Sequence, residues 1–598
     1  MDRRKFVGTT LSGLCTIPLG GEVTSLVSFP TGTSPKHEKI LLATTDYYDN
    51  ILHRKFLFER KHLDVLHKYL ASLGVTRHQW IVDTIWNFYD PGSNGFDLLA
   101  EAAESAQQYG IEFYAEIKPF EGGGFGNTLP LSLPVPIGKA IKDLRGIYPV
   151  VRPFVAKNPH LCLKRRPGTW EFNGTVSVIR LVKGDDKPTQ IKPQHLEIWT
   201  SSSNNSFEQY EGPVSFRESV EWRATFPKSK TCRIINLEGL DIPSGHKYIL
   251  IRCKFREGNG HFSNERGNII ELSDQNNRKI PFILSTGRVD YNTQHSHYNN
   301  YIHNKIVRYY QDAEVQEEFT NRGKAEKHYR NFYSFDERRR LTEPYSFDGE
   351  GYIVVACGKP EYMLGNLHPI YPEVREHWLG MIRFCLERGV DGINIRHSNH
   401  TRSPEDWEYG FNEPVIKTAG RRTDYPTIRR INGNAYTQFL RKARDLVKNY
   451  HKSIIIHLYS QMLMPDDRVG RTNYLPPNFE WQWETWVKEI ADELEFRGAW
   501  TFRPENLRQV LETYSEVTKK ANKPFYFQVN MKELSSALEE SSHYQFTREE
   551  LEMVQNNSEY KGFVLYETGN FTRINENGDL EGNADLEKLL KSYKWKNR

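Results

Sequence analysis

The sequence predicts an α/β fold: a (β/α)8 TIM barrel with a β-sandwich domain inserted after the third barrel strand. Three observations predict it. Apolar runs of strand length alternate with helical stretches in both the early and the late parts of the chain, the rhythm of a parallel sheet covered by helices. Eight such runs can be counted, most of them ending in a polar residue, as barrel strands do where they reach a ligand-binding rim. After the third run the helical rhythm stops, and short β-rich runs separated by Asn, Ser, Gly and Pro take over, which is the spacing of an antiparallel sandwich.

In chain order, residues 39–47 read as a buried strand. Leu57, Leu63, Leu66, Leu70 and Leu73 then recur at helical spacing over 57–73, closed by Gly74 as a helix stop. A second strand is expected over 79–86, a helix over 96–109 ended by Gly110, and a third strand over 111–118. The rhythm breaks at Glu121-Gly122-Gly123-Gly124, and β runs follow at 174–182, 194–200, 232–237, 247–255 and 280–284. Barrel loops tolerate insertions of this size on the face where ligands bind. The run 352–356 is a further strand that spoils a perfect count of eight and is placed in the same excursion.

Helical spacing returns with Val374, Trp378, Met381, Ile382 and Cys385 on one stripe, followed by Gly389 and a fourth barrel strand over 391–396. A helix over 435–450 precedes the fifth strand at 453–459; the sixth, seventh and eighth are 493–497, 524–530 and 562–567. The organisation expected is an export signal and linker over 1–35, a first part of the barrel over 36–125, the sandwich over 160–290 and the rest of the barrel over 300–598.

Composition narrows the function. Eighty basic against 76 acidic residues leave a net charge of +4 over 598 residues, too little to supply the phosphate-neutralising field that nucleic-acid binding needs. No charge-free apolar run reaches the ~18 residues that mark a membrane span. Asp2-Arg3-Arg4-Lys5-Phe6 followed by an uncharged, mildly apolar stretch to Gly20 resembles a twin-arginine export signal, so a periplasmic or extracellular location is expected. The cysteines after Cys15 are Cys162, Cys232, Cys253, Cys357 and Cys385, with no C-x-x-C spacing and hence no zinc ribbon or thioredoxin-like site. Cys232 and Cys253 could bridge neighbouring strands or remain two buried thiols.

Candidate chemistry is expected at strand ends, because barrel chemistry lies at the C-terminal face. Asp46, Asp83, Glu116, Glu495 and Glu567 qualify by position. Glu567 follows Phe563-Val564-Leu565, so burial could tune it as a general acid, against a structural ion pair with Arg497 or Lys118. Glu116 shares a strand face with Lys118 and could pair with it; Asp83 lies in a strongly apolar strand and could be a satisfied buried carboxylate. Arg396, His397 and His400 form the densest polar cluster after any strand, and Arg396 could hold an acidic sugar through its planar fork of donors. His457 in the fifth strand could donate to a hydroxyl. Tyr47, Trp86 and Trp483 offer flat faces of the kind that suits sugar C–H groups. The pairs His295-x-His297 and His397-x-x-His400 lack a third ligand at a recognised distance, so no metal and no cofactor are expected.

Three runs, Tyr371-Pro372-Glu373-Val374-Arg375, 389–396 and Tyr409-Gly410-Phe411-Asn412-Glu413-Pro414-Val415, resemble the barrel segment of glycoside-hydrolase-like proteins related to family 10. The likeness covers most of the barrel and not the inserted sandwich. It implies an exported glycan-active barrel with a poly- or oligosaccharide as substrate. Asn412-Glu413-Pro414 is similar to an acid/base motif of retaining glycosidases, although it lies beyond the fourth strand; a helix start with Asn412 as its cap is the competing reading. The resemblance also implies an acid at the end of the fourth strand, where this chain has Arg396.

Glycoside hydrolysis uses two carboxyls, about 5–5.5 Å apart for retention and 6.5–9.5 Å for inversion. Glu567, Glu413, Glu116 and Asp83 are therefore the expected catalytic pool. A glycan-binding barrel without turnover, and a metal-dependent hydrolase or deacetylase, are the alternatives.

Overall fold

Parallel pairing joins eight strands into a closed ring: β1 (Ile40–Asp46), β2 (Val75–Ile81), β3 (Glu112–Ile117), β4 (Gly392–Ile395), β5 (Ser453–Leu458), β6 (Glu493–Arg497), β7 (Phe525–Asn530) and β8 (Gly562–Tyr566), with β8 returning to β1. The computed structural model describes residues 38–46, 58–82, 97–122, 154–155, 158–169, 171–183, 185–202, 208–223, 230–253, 270–286, 352–358, 361–398, 408–463, 475–497, 504–530, 551–593 and 595. The expected export signal, Tyr47, Asp83, Trp86, His295, His297 and His400 lie outside them. Among the described residues no helix is long and apolar enough to cross a membrane.

The eight strands are those expected from the sequence, with one displacement. β2 begins at Val75, directly after Gly74, which ends the preceding helix at φ +88°. Its opening residues Val75-Thr76-Arg77-His78-Gln79 are too polar to read as a strand. They can be one because Arg77 and Gln79 point into the barrel and find carboxylates there. The helices packed outside bury their apolar stripes on the ring. They are α1 (Arg60–Ser72), burying Leu63, Leu66 and Leu70; α2 (Leu98–Gln108), started by the Asp97 carboxylate accepting from Ala100 N; and α3 (Pro372–Leu386), burying Val374, Trp378, Met381, Ile382 and Cys385. α4 (Glu413–Ala419) precedes α5 (Tyr425–Asn449), which begins ten residues ahead of the expected helix because the Asp424 side chain caps Thr427 N at 2.9 Å. α6 (Pro504–Lys520) and α7 (Ala584–Lys591) follow.

Between β3 and α3 the chain forms two antiparallel sheets. One runs in the order Phe282–Thr286, Tyr352–Cys357, Tyr248–Cys253, Leu196–Ser201, Glu208–Gln209; the other in the order Ile270–Ser273, Val176–Val182, Lys230–Ile242, Ser215–Arg223. A single apolar cluster draws Ile179, Leu181, Ile235 and Leu237 from the second sheet and Ile198, Ile249, Ile251 and Val355 from the first. Tyr352–Cys357, the strand that spoiled the count, is therefore a central strand here and not a barrel strand. Cys232 is buried and is a thiol, not half of a disulfide. Cys162–Lys164 and Tyr362–Leu367 pair antiparallel and hold the two ends of the excursion together, which lets a long segment leave the barrel without opening it.

Glycines fit the barrel interior where tyrosines fill it. Gly392 on β4 lies beside Tyr114 on β3, and Gly562 on β8 beside Tyr526 on β7. A Cβ at Gly392 would meet the Tyr114 ring at 2.3 Å, and one at Gly562 would meet the Ile40 carbonyl oxygen at 1.9 Å.

Candidate active site

Side chains alternate in and out along each strand, and the inward set is polar. Near the strand starts, Arg77 donates to both oxygens of Glu493 at 2.8 and 3.1 Å and to Glu112 at 3.0 Å, while its guanidinium lies 4.1 Å from the Tyr114 ring centre. This closed ion-pair plug uses Arg's planar fork and seals the floor of the lumen. Above it, Gln79 Nε2 (2.7 Å) and Asn394 Nδ2 (3.3 Å) both donate to one oxygen of Glu495.

Glu116, on β3, and Glu495, on β6, are fully buried in the lumen. Between them lies His457 of β5, its Nε2 3.4 Å from Glu495 Oε1 and 3.9 Å from Glu116 Oε2. Burial, reinforced by the charge on Glu116, pushes the Glu495 carboxyl up to about 8. Burial also raises Glu116, but Arg396 and Lys118 pull against it; Arg396 Nη1 stands 3.1 Å from Glu116 Oε1. Glu116 is thus the carboxyl that ionises first and Glu495 the one that keeps its proton. Burial, with Arg396 nearby, drives His457 well below the usual imidazole range, so the ring is neutral. Glu116 Oε2, Glu495 Oε1 and both His457 nitrogens have no hydrogen-bond partner among the described residues, a concentration of unmet polar atoms that a packed core does not keep without reason. The arrangement offers a fixed carboxylate, a protonated carboxyl and a neutral imidazole that can relay between them.

At the strand ends Lys118 lies 3.4 Å from Asp46 and 3.3 Å from Glu121. Ser398 Oγ accepts from Arg396 Nε (2.9 Å) and Arg497 Nη1 (3.1 Å), with Tyr459 Oη also at 3.1 Å. Both guanidiniums face the Tyr566 ring, at 5.4 and 4.8 Å. Glu567 directly follows β8 and is buried. Among the described residues no group of three or more His, Cys, Asp or Glu side chains is arranged to hold a metal ion.

The expected site residues divide accordingly. Glu116, His457 and Arg396 come together in the lumen, and Glu567 stands at the strand-end side of the same barrel. Arg396 is fully buried and spent on Glu116, Ser398 and Tyr566, so the expected grip on an acidic sugar is replaced by an internal ion pair. Glu413 is largely exposed and paired with Lys164 on the short sheet, which holds its carboxyl below the usual range. Asn412 occupies the cap position of α4, but its side chain reaches across to Cys162 O and Lys164 N instead of capping. The Asn-Glu-Pro motif is a helix start, not a catalytic strand end.

His397 points outward from the barrel, its Nδ1 2.6 Å from Tyr436 Oη and its ring against Trp481 and Trp486; it is a core histidine. Trp483 is partly buried and packs edge-on against Tyr514 of α6 at 4.9 Å, while its neighbours Trp481 and Trp486 are buried against Tyr436 and form no sugar platform. Glu495 qualified by position in the sequence, but its role depends on Gln79, Asn394 and His457 from three other strands, which only the register brings to it.

No family model matches the chain, and no curated protein matches it. Among solved structures, the spore cortex-lytic enzyme SleL of Bacillus megaterium QM B1551 is similar at 12% identity over 39% of this chain and 57% of that one, with a TM-score of 0.23. The putative sporulation-specific glycosylase ydhD of Bacillus subtilis is similar at 13% identity over 38% and 69%, TM-score 0.18. The catalytic domain of β-amylase from Paenibacillus polymyxa is similar at 11% identity over 93% and 99%, TM-score 0.23. The chain spans little more than half the length of the first. Likeness at this level carries no function from those proteins to this one.

Proposed function

We propose that this protein is a glycoside hydrolase working by carboxyl chemistry at the C-terminal end of its barrel, with Glu116 as the ionised carboxylate and Glu567 as its partner across the sugar. The observation that carries the reading is Glu116 itself. One of its oxygens is fixed by Arg396 and the other has no hydrogen-bond partner among the described residues, in a buried setting beside a neutral imidazole and a proton-bearing Glu495. Cleavage of a glycosidic bond needs an ionised carboxylate facing a second carboxyl across the sugar; because Glu495 keeps its proton, Glu116 is free to ionise beside it, and Glu567 at the strand-end side is the carboxyl proposed for the opposite face. In this reading the two antiparallel sheets form an inserted β-sandwich domain that helps to grip a poly- or oligosaccharide, and the twin-arginine-like opening sends the folded protein out of the cytoplasm.

The Arg396–Glu116 pair also favours a second reading, a glycan-binding barrel without turnover, because a carboxylate neutralised by a buried guanidinium is a poorer nucleophile or base. Release of reducing ends across a panel of glycans separates the two. Turnover lost in Glu116→Gln and Glu567→Gln supports the hydrolase; binding without turnover by the unaltered protein supports the binder.

A further inference from the structure

Outside the lumen, a line of buried polar side chains crosses the helix–barrel interface. Ser105 Oγ of α2 donates to Asp64 Oδ1 of α1 (2.7 Å) and lies 2.9 Å from His67 Nδ1. His67 Nε2 meets His78 Nδ1 of β2 at 2.8 Å, His78 Nε2 meets Thr45 Oγ1 of β1 at 2.7 Å, and Thr45 Oγ1 meets Thr568 Oγ1 at 2.6 Å. Apart from Asp64, which is about a third exposed, every member is buried.

We propose that this chain of six side chains positions the rim carboxyls Asp46 and Glu567, and that it does so in one fixed proton order. The order follows from Asp64. As a carboxylate paired with Arg60 at 2.9 Å, it can only accept. Ser105 has one proton and gives it to Asp64, so it must accept from His67 Nδ1–H. Burial holds both imidazoles well below their usual range, His67 at about 3, so each is neutral and carries a single N–H. His67 Nε2 then accepts from His78 Nδ1–H, His78 Nε2 accepts from the Thr45 hydroxyl, and Thr45 accepts from Thr568. No group is left with a proton facing a proton.

The chain ends where the barrel closes. Thr45 immediately precedes Asp46, and Thr568 immediately follows Glu567, so the 2.6 Å contact ties the end of β1 to the turn after β8 and fixes the two backbones that carry those carboxyls. An apolar interface of the same shape would hold the helices at least as well, since polar groups buried there recover little beyond their desolvation cost. What hydrogen bonds add is direction. The positioning part rests on the reading of Glu567 as a working carboxyl; the proton order does not.

The test uses the full chain with ring-15N histidine and two variants that cut the same bond from either side, Thr45→Val and Thr568→Val, with Thr45→Ser as the conservative rescue. NMR at pH 7 is expected to show both His67 and His78 as neutral Nδ1–H tautomers. Thr45→Val is expected to shift His78 Nε2 and to lower kcat about tenfold with KM within about twofold; Thr568→Val is expected to lower kcat similarly, and Thr45→Ser to restore both readouts. Either ring protonated at Nε2 overturns the proton order. Unchanged kcat in both valine variants overturns the positioning role. If the unaltered protein cleaves no glycan, the hydrolase reading fails separately, and the carboxyl-carbon resonances of Asp46 and Glu567 decide instead: they must move in Thr45→Val and stay in Thr45→Ser, and resonances that do not move overturn the positioning role.

Discussion

Replacing Glu495 by Gln should make the protein more stable at pH 8 and leave its stability nearly unchanged at pH 4.5. The wild-type carboxyl is raised from 4.5 to about 8 by burial and by the charge on Glu116. The sign follows from linkage: below the unfolded value both states carry the proton and nothing is lost, whereas between the unfolded and folded values the unfolded chain releases a proton that the folded chain keeps, so stability falls as pH rises. Each pKa unit corresponds to about 1.4 kcal/mol, so the accumulated loss by pH 8 is on the order of 4 kcal/mol. Gln keeps the acceptor that Gln79 and Asn394 use and has no proton to lose. Urea unfolding of wild type and Glu495→Gln, followed by tryptophan fluorescence at pH 4.5, 6 and 8, measures the difference directly. A gap between the two proteins that stays constant across that range would refute the reasoning, because it would mean that Glu495 titrates as an ordinary exposed carboxylate.

Three further outcomes are expected. Arg396→Met should cost about 3–5 kcal/mol at pH 7 by leaving the buried Glu116 carboxylate without its partner, and the loss should shrink at acid pH as Glu116 takes up a proton; urea unfolding at pH 7 and pH 4 checks both parts. Gly562→Ala should fail to give a closed barrel or lose more than about 3 kcal/mol, since its Cβ would stand 1.9 Å from the Ile40 carbonyl oxygen at the β8–β1 seam; soluble yield and thermal melting report it. Glu413→Gln should change stability by no more than about 0.5 kcal/mol and leave any turnover untouched, because Glu413 is an exposed partner of Lys164; a melting curve and a turnover assay suffice.

The barrel was legible in the sequence because its outward faces are made of residues such as Phe113, Ile393, Ile395, Ile454, Ile456, Phe563 and Leu565, which leave apolar runs between helix-stopping glycines. Its interior was not. Arg77, Gln79, Asn394, Glu493 and Glu495 turn inward and pair with one another across strands far apart in the chain, contacts that local spacing does not show. The inward polar residues of β2 are also why its start at Val75 lies four residues ahead of the expected one. The same pairing across distant strands is why Glu495 carries less weight in the sequence than Glu413, whose local motif is suggestive but whose side chain faces solvent. The strand Ser215–Arg223 is not legible because four charged residues crowd it and two of its three apolar members, Val220 and Trp222, are exposed. Glu116 was found from its place at a strand end, but the partner expected from spacing, Lys118, turns to Asp46 and Glu121, while Arg396 arrives from β4.

The most direct trial of the central claim is the rate of reducing-end release by the full chain carrying Glu116→Gln, compared with wild type on the glycan that wild type cleaves fastest. A fall of at least about a hundredfold is expected, the scale of losing an acid/base or nucleophilic group, with the variant still folded. A Glu116→Gln protein that retains the wild-type rate would contradict that claim.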